Sequence, residues 1–436
     1  VNTSTKPFQS NTGRYTTYIQ YKRNTMIMRL PVGLLLVAGT APCALSQGTD
    51  LGGGIVTRKD VEYLADLTLD VRDIDQEFAS TGGTNAAMQI YTNGKNSDAQ
   101  GASARFSLAQ LSTRLANHGL DDAVPSYLYH LYGMADRSND IGKLSEHLSY
   151  ADNFARTSIM GGRRTTSEAI NVLNMWMYAT HLLFDGAQKC LKKAEADNPD
   201  IIDFGDGGFD EFIAIWIGSG QVPGSSDGYS LYSLAEQGDD LFSVGDSTFD
   251  PEDNLDEDYI ESLVNKRIKL LYQEGASLTS VPAVCTSSTP ESPKRLWTIV
   301  NRIVSQMYIP LFQLLINAIL EKDSEAVQVY AMALIPQAAQ CRPSTFKLLR
   351  DQLLGGNPSF DRTELVLSDL QELYSCFGLT CDDIGLIRNA PADVALPECV
   401  AAENDAPMAE YQPSSDVLPI ARIDHDILQL RILTSL

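Results

Sequence analysis

Apolar residues recur with helical spacing along most of this chain. From Leu296 to Met307 the apolar positions follow the i, i+3, i+4 spacing of one buried stripe, and Ser292 and Pro293 form an N-cap and first-turn proline before it. A second stripe begins at Ile260 and is predicted to end at Gly275. The alternation of apolar and polar positions that is typical of strands is almost absent. The pattern therefore predicts an all-α fold.

Similar stripes predict further helices, separated by polar, glycine-rich connections. We expect these helices over about 57–79, 104–118, 124–134, 141–158, 166–194, 229–243, 323–340, 344–354 and 362–377. The predicted connections lie at 81–101, 198–208, 219–228 and 246–258. The most apolar window, 303–320, contains Pro310 and polar residues, so we expect a kinked core helix there and no membrane span.

The length of the chain favours more than one folding unit. Its 436 residues exceed the size at which one hydrophobic core usually stops growing. We therefore predict a multi-helix array of two packed helical halves, 47–220 and 221–415. Residues 417–427 resemble 61–71 in their apolar positions, which predicts that 416–436 open a further repeat, with chance likeness of two amphipathic segments as the alternative.

The N-terminal region has the features of an export signal. Residues 26–46 combine a basic start, an apolar run and small residues at the end, which predicts a signal peptide. Residues 1–25 precede the first methionine, and we expect an untranslated leader or a disordered stretch there, with a basic presequence as the alternative. The mature protein is predicted to be secreted to the extracellular or periplasmic space or to the cell surface.

Cysteine usage agrees with export. Of the seven cysteines, six follow the predicted signal peptide, and an even set in an exported chain is expected to form disulfides. Their spacing leaves the pairing open. These cysteines are Cys190, Cys285, Cys341, Cys376, Cys381 and Cys399.

The charge of the chain excludes some partners. It carries 56 acidic and 33 basic side chains, and the predicted leader and signal peptide contain basic residues but no acidic one, so the mature part is more acidic than the whole. Such a charge repels nucleic acid, which we exclude as a partner, and attracts cations. Solubility of a secreted protein explains the same charge without any ligand.

One short motif raises the alternative of an extracellular hydrolase. Residues 224–228 match Gly-x-Ser-x-Gly, in which Ser226 would be the nucleophile if a strand ran into a tight turn and a helix followed. Pro223 and the polar surroundings predict a loop instead, so we predict no enzyme activity. A structural or adhesive role in the cell wall or matrix is the other alternative.

Oxygen-donor side chains point to metal binding. Iron(III) and calcium prefer anionic oxygen, and the chain contains 18 tyrosines and many carboxylates. Tyr129, His130 and Tyr132 lie on one predicted helix and Asp136 follows it, a donor set that can complete an iron(III) site. Core packing of this aromatic stripe is the alternative interpretation.

Other polar residues on predicted helices have more ordinary explanations. Asp66, Asp70 and Asp73 share one face of the first helix, where we expect them to be solvated. His181 falls on an apolar stripe and is predicted to be a core histidine.

Several short segments along the chain are informative when they are taken together with their order and spacing. They lie at 90–97 (IYTNGKNS), 129–136, 150–152, 174–178 leading to Cys190, 210–219, 230–235, and 330–336 leading to Cys341. Together these segments resemble the secreted algal iron-assimilation (FEA-type) proteins, which are related to the iron-binding domains of phytotransferrins.

The resemblance implies a helical, exported protein that binds iron as Fe3+ and concentrates it for uptake, without catalysis. We expect the iron to bind with or without a synergistic anion, and we expect a partner in the cell wall or a membrane receptor. We predict Tyr129 and Tyr132 as phenolate ligands. The further candidate ligands are His130, Asp136, Asp152, Asp210 and Glu211.

Overall fold

The computed structural model describes a large part of the chain. The described residues are 48–78, 83–98, 105–112, 150–196, 208–243, 261–279, 285, 291–339, 341–354, 358 and 360–388. The predicted leader, the signal peptide, the predicted ligands at 129–136 and the predicted repeat at 416–436 lie outside them. The described residues belong to one compact unit, and helices from both sides of residue 220 contribute to one hydrophobic core. The two-half division stays a prediction.

The all-α fold with disulfides is confirmed. The helices are α1 Glu62–Ala65, α2 Leu67–Phe78, α3 Gly83–Asn93, α4 Tyr150–Gly161, α5 Thr166–Ala169, α6 Trp176–Ala196, α7 Gly208–Ile217, α8 Leu231–Leu241, α9 Leu263–Thr279, α10 Glu291–Leu320, α11 Ser324–Leu334, α12 Pro343–Leu353, α13 Thr363–Gln371 and α14 Cys381–Ile384. A π-helical segment, Ile170–Met175, joins α5 to α6, and 3-10 turns cover Ile335–Ala338 and Tyr374–Phe377.

Strands are few and short in the described part of the chain. β1 (Asp50–Gly52) pairs antiparallel with β2 (Ile55–Val56), and β3 (Phe242–Ser243) pairs antiparallel with β4 (Leu386–Ile387). The second pair joins two segments that are far apart in sequence. Neither pair forms a layer of its own, so the fold consists of packed helices.

Three helices lie where the sequence pattern predicted none: α3, α7 and the four-residue α14. The expected connection at 81–101 contains α3, which buries Ala87 and Tyr91 one turn apart. Helix α7 was also missed, because it is apolar on almost every face, and a short apolar run does not distinguish a buried helix from a buried strand.

The predicted end of one helix at Gly275 is wrong, because α9 continues to Thr279. A Cβ atom at Gly275 would lie 2.3 Å from the ring of Phe209 in α7. The glycine therefore permits close packing of two helices and does not end one.

Helix α10 is the long central helix of the fold. It continues through Pro310 and packs against α6, α8, α9 and α11. By length and composition it could cross a membrane, but 83% of its most apolar window is buried inside the protein. That packing is expected of a core helix.

Disulfides connect parts of the chain that are distant in sequence. Cys190 in α6 is bonded to Cys285, and Cys341 is bonded to Cys376. Cys381 is also disulfide-bonded, so all five cysteines among the described residues are oxidised. Such bonds persist in oxidising compartments and are compatible with an extracellular location.

Candidate functional site

Three segments that are far apart in sequence meet in one hydrogen-bonded cluster. The hydroxyl of Tyr91 in α3 donates to Oδ1 of Asp152 in α4 at 2.8 Å, and Nδ2 of Asn174 in the π-helical segment donates to the same hydroxyl oxygen at 2.8 Å. These residues belong to three of the segments that carry the family resemblance. We call Tyr91, Asp152, Arg156 and Asn174 the tyrosine–aspartate cluster.

Helix packing sets the geometry of this cluster. Helix α3 packs against α4, and α4 packs against the π-helical segment. Asp152 and Arg156 lie one turn apart on α4, where Nε of Arg156 donates to Oδ2 of Asp152 at 2.8 Å. The guanidinium carbon of Arg156 lies 5.5 Å from the centre of the Tyr91 ring. A phenol, a carboxylate and a guanidinium are thus held together.

The cluster is buried on one side and open on the other. Tyr91 and Asn174 are fully buried, whereas the side chains of Asp152 and Arg156 are 20% and 40% exposed. Solvent therefore reaches the carboxylate and the guanidinium, and the phenol lies behind them.

Burial controls the protonation of the phenol. Removal from water raises the pKa of Tyr91 well above its usual value, and the negative charge of Asp152 and its hydrogen bond raise it further. Tyr91 therefore keeps its proton at neutral pH. A ligand that binds the phenol oxygen as an anion must displace that proton.

The π-helical segment supplies Asn174 in an unusual setting. π turns inside α-helices are rare in proteins, and those that occur often lie at functional sites. Oδ1 of Asn174 is buried and has no hydrogen-bond partner among the described residues, although its Nδ2 atom contacts Tyr91. Nδ2 also approaches Oγ of Ser112 at 3.4 Å. An unpartnered buried oxygen is costly, and it gives the cluster unused acceptor capacity.

Of the predicted ligands, Asp152 is the one that belongs to this cluster. Tyr129, His130, Tyr132 and Asp136 lie outside the described residues. Among the described residues, no three His, Cys, Asp or Glu side chains converge as a metal site requires.

Asp210, another predicted ligand, accepts hydrogen bonds from distant parts of the fold. It is fully buried in α7, and its Oδ2 atom accepts hydrogen bonds from the backbone N–H groups of Arg58 and Lys59 at 3.0 and 3.2 Å. Its Oδ1 atom accepts a hydrogen bond from the hydroxyl of Tyr272 at 2.9 Å. Both oxygens hold other parts of the fold in place, and Glu211 beside it is half-buried. Neither residue enters our proposed site.

The predicted row of solvated carboxylates is also different in the structure. Asp70 is fully buried and Asp73 is 5% exposed. Asp70 accepts hydrogen bonds from the backbone N–H groups of Lys95 and Asn96 and from the hydroxyl of Ser97, at 2.8 to 3.1 Å. For Asp70 and Asp73 the expectation of solvation was therefore wrong, because these two side chains anchor the turn that follows α3.

Two other expectations concerned single residues. His181 is buried, as predicted for a core histidine. Ser226 lies in an irregular stretch, 218–230, that contains no strand, so the strand–turn–helix context of a nucleophile elbow is absent there.

Tyr91, Arg156 and Asn174 were not predicted as site residues. The segments at 90–97 and 174–178 were noted for their resemblance, but α3 was expected to be a connection. The one local signal for Tyr91 is its spacing of four residues from Ala87, which marks a buried helical face. No family model, curated protein or solved structure matches this chain.

Proposed function

We propose that this protein is exported and captures iron(III) for uptake, without catalysis, through the tyrosine–aspartate cluster. The supporting observation is the direct contact between the phenol of Tyr91 and the carboxylate of Asp152, with a guanidinium on the exposed side. Both oxygens suit a hard cation, and one ion replacing the shared proton would contact both. The strong acidity of the chain raises the local concentration of cations.

The buried phenol favours iron(III) over divalent hard cations. Because Tyr91 holds its proton strongly, only a cation of high charge density gains enough energy from the phenolate to release that proton. Calcium and magnesium take carboxylate and neutral oxygens and gain little from a phenol. The cluster should therefore discriminate against the divalent ions.

Arg156 is suited to hold an anion next to the metal. Its guanidinium is a planar set of donors that matches a carboxylate-like or carbonate-like anion. It now pairs with Oδ2 of Asp152, and a cation on Asp152 would compete for that oxygen. The freed donors would then bind the synergistic anion, which completes the coordination of the ion.

Iron titration of Tyr91 and Asp152 variants tests this proposal. Adding iron(III) to the purified protein with bicarbonate should give a visible tyrosinate charge-transfer band. Tyr91→Phe should remove the part of this band that Tyr91 contributes. Tyr91→Phe and Asp152→Asn should each lower the affinity for iron by about 100-fold or more, since changes to residues that only support a metal ligand already cost about 10- to 100-fold.

Tyr374→Phe is the matched control for this titration. Tyr374 is also a buried tyrosine, packed against Phe312, and it lies outside the cluster. We expect its replacement to leave the band and the affinity unchanged. A band that persists at full intensity in Tyr91→Phe, or iron binding no tighter than that of calcium, would contradict the proposal.

The pH dependence of iron binding follows from the protonated phenol. At any pH below the raised pKa of Tyr91, binding to the phenolate releases one proton, so affinity should increase about tenfold for each unit that the pH rises. Calorimetry in buffers of different ionisation enthalpy measures the released protons. The wild type should release about one proton more than Tyr91→Phe, and equal release by the two proteins would show that Tyr91 is not a ligand.

A further inference from the structure

Two buried asparagines lie in the π-helical segment, and each has an unsatisfied side-chain oxygen. Asn171 is 3% exposed, and Asn174 is fully buried. The Oδ1 atom of neither asparagine has a hydrogen-bond partner among the described residues. A buried amide oxygen without a partner lowers the stability of a fold. The oxygen of Asn174 therefore gives no reason for an asparagine to face Tyr91, and the reason must lie with its amide nitrogen.

The amide nitrogen of Asn174 makes the contacts of this side chain. Nδ2 donates to the hydroxyl oxygen of Tyr91 at 2.8 Å and approaches Oγ of Ser112 at 3.4 Å. These two contacts set the direction in which the amide faces, because its Oδ1 atom has no partner among the described residues to compete with them. A hydrogen-bond donor is thus held against the phenol oxygen on the buried side of the tyrosine–aspartate cluster.

The oxygen of Tyr91 has one partner for its proton and another for a lone pair. Its hydroxyl donates to Oδ1 of Asp152 at 2.8 Å while the same oxygen accepts from Asn174. A hydroxyl has a single proton, and it accepts at its lone pairs. An ion that takes the place of the proton therefore enters on the side of Asp152, because Asn174 already occupies the other side.

We propose that Asn174 is a positioning residue for iron(III): its amide N–H keeps the oxygen of Tyr91 directed at Asp152 and stabilises the phenolate that binds the ion. This role rests on the proposed function of the cluster. A buried anionic oxygen is costly unless a donor bonds to it, and Nδ2 of Asn174 is already at hydrogen-bond distance. Asn174 acts through Tyr91 and is not itself a ligand.

Asn174→Leu separates this role from a structural one, because fold stability and iron affinity should respond differently. Leucine branches at the same carbon atom, and it lacks both the donor and the unsatisfied oxygen. We expect the urea midpoint of the metal-free protein to stay the same or to rise. The affinity for iron(III) should fall by about 10- to 100-fold. The tyrosinate band should move to longer wavelength, since a phenolate that loses a hydrogen bond is a stronger electron donor.

Two further variants complete this experiment. Asn174→Ala removes the donor without adding volume, so it should show the same loss of iron affinity even if leucine packs poorly. Asn171→Leu is the matched control, because Asn171 is also buried in the π-helical segment with an unsatisfied oxygen but is not a member of the cluster. Its replacement should leave the iron affinity and the band unchanged.

Nuclear magnetic resonance of the metal-free protein tests the contact of Asn174 with Tyr91 without iron. In protein labelled with ¹³C at Cζ of tyrosine, the Tyr91 signal is the one that is lost in Tyr91→Phe. This signal should move in Asn174→Leu, because the phenol oxygen loses a donor, and it should stay in place in Asn171→Leu.

The outcomes distinguish failure of this role from failure of the proposed function. Absence of a tyrosinate band in the wild type would overturn the proposed function together with the role of Asn174. A wild-type band with equal iron affinities for Asn174→Leu and Asn171→Leu would overturn the role of Asn174 alone. An unmoved Tyr91 signal in Asn174→Leu would do the same.

Discussion

Replacing Asp210 by alanine should lower the free energy of unfolding by about 3 to 5 kcal/mol, the usual cost of removing one partner from a buried, charge-assisted set of bonds. The carboxylate accepts hydrogen bonds from two backbone N–H groups of the segment before α1 and from Tyr272 of α9. All three donors would lose their acceptor. Urea unfolding followed by far-UV circular dichroism measures the change.

Asp227→Ala is the matched control for Asp210→Ala. Asp227 is an exposed aspartate in the stretch between α7 and α8, and its replacement should change stability by less than about 0.5 kcal/mol. The Asp210 variant should also keep the tyrosinate band of iron binding under conditions where it is folded. Loss of the band in a folded Asp210→Ala protein would show that Asp210 is a ligand after all.

Asp70→Ala should lower the free energy of unfolding by about 3 kcal/mol, because several buried donors lose their acceptor at once. Two backbone N–H groups and the hydroxyl of Ser97 now bind this carboxylate. The affected turn directly follows α3, which carries Tyr91. Hydrogen exchange should therefore show faster exchange in the 94–98 turn, in addition to the lower midpoint in urea.

Asp98 at the end of the same turn provides the comparison for Asp70. It is 69% exposed and pairs with the half-exposed Arg105, so Asp98→Ala should cost no more than about 1 kcal/mol. Similar losses for the two variants would mean that the hydrogen bonds to Asp70 contribute little. Unchanged exchange in the turn of Asp70→Ala would lead to the same conclusion.

Local patterns predicted the fold class because helical periodicity is a property of neighbouring residues. The apolar stripe from Leu296 to Met307 forms the buried face of α10, because this spacing places all of its side chains on one side of a helix. The periodicity failed at α3, where polar residues dilute a narrow buried face, and at α7, where burial on all sides removes the pattern.

The candidate site was less accessible to such reasoning. Asp152 was predicted because it lies in a segment with a recognisable motif. The hydrogen bond from Tyr91 to Asp152 spans 61 residues of sequence, and the one from Asn174 to Tyr91 spans 83. Nothing in local spacing indicates which distant helices will touch. The same limit explains Asp70, since its partners come from a turn that had been predicted as part of a longer connection.

The π-helical segment between α5 and α6 affects how this continuous helix packs against α3 and α10. The wider turn shifts the angular phase of the side chains that follow it, so the two ends of one continuous helix do not keep a common face. On one side of this shift Asn174 contacts Tyr91, and immediately after it Nε1 of Trp176 donates to the carbonyl oxygen of Met307 at 3.2 Å. One continuous helix thereby contacts Tyr91 of α3 and Met307 of α10 through side chains only two residues apart. In a regular α-helix these two side chains would point in other directions.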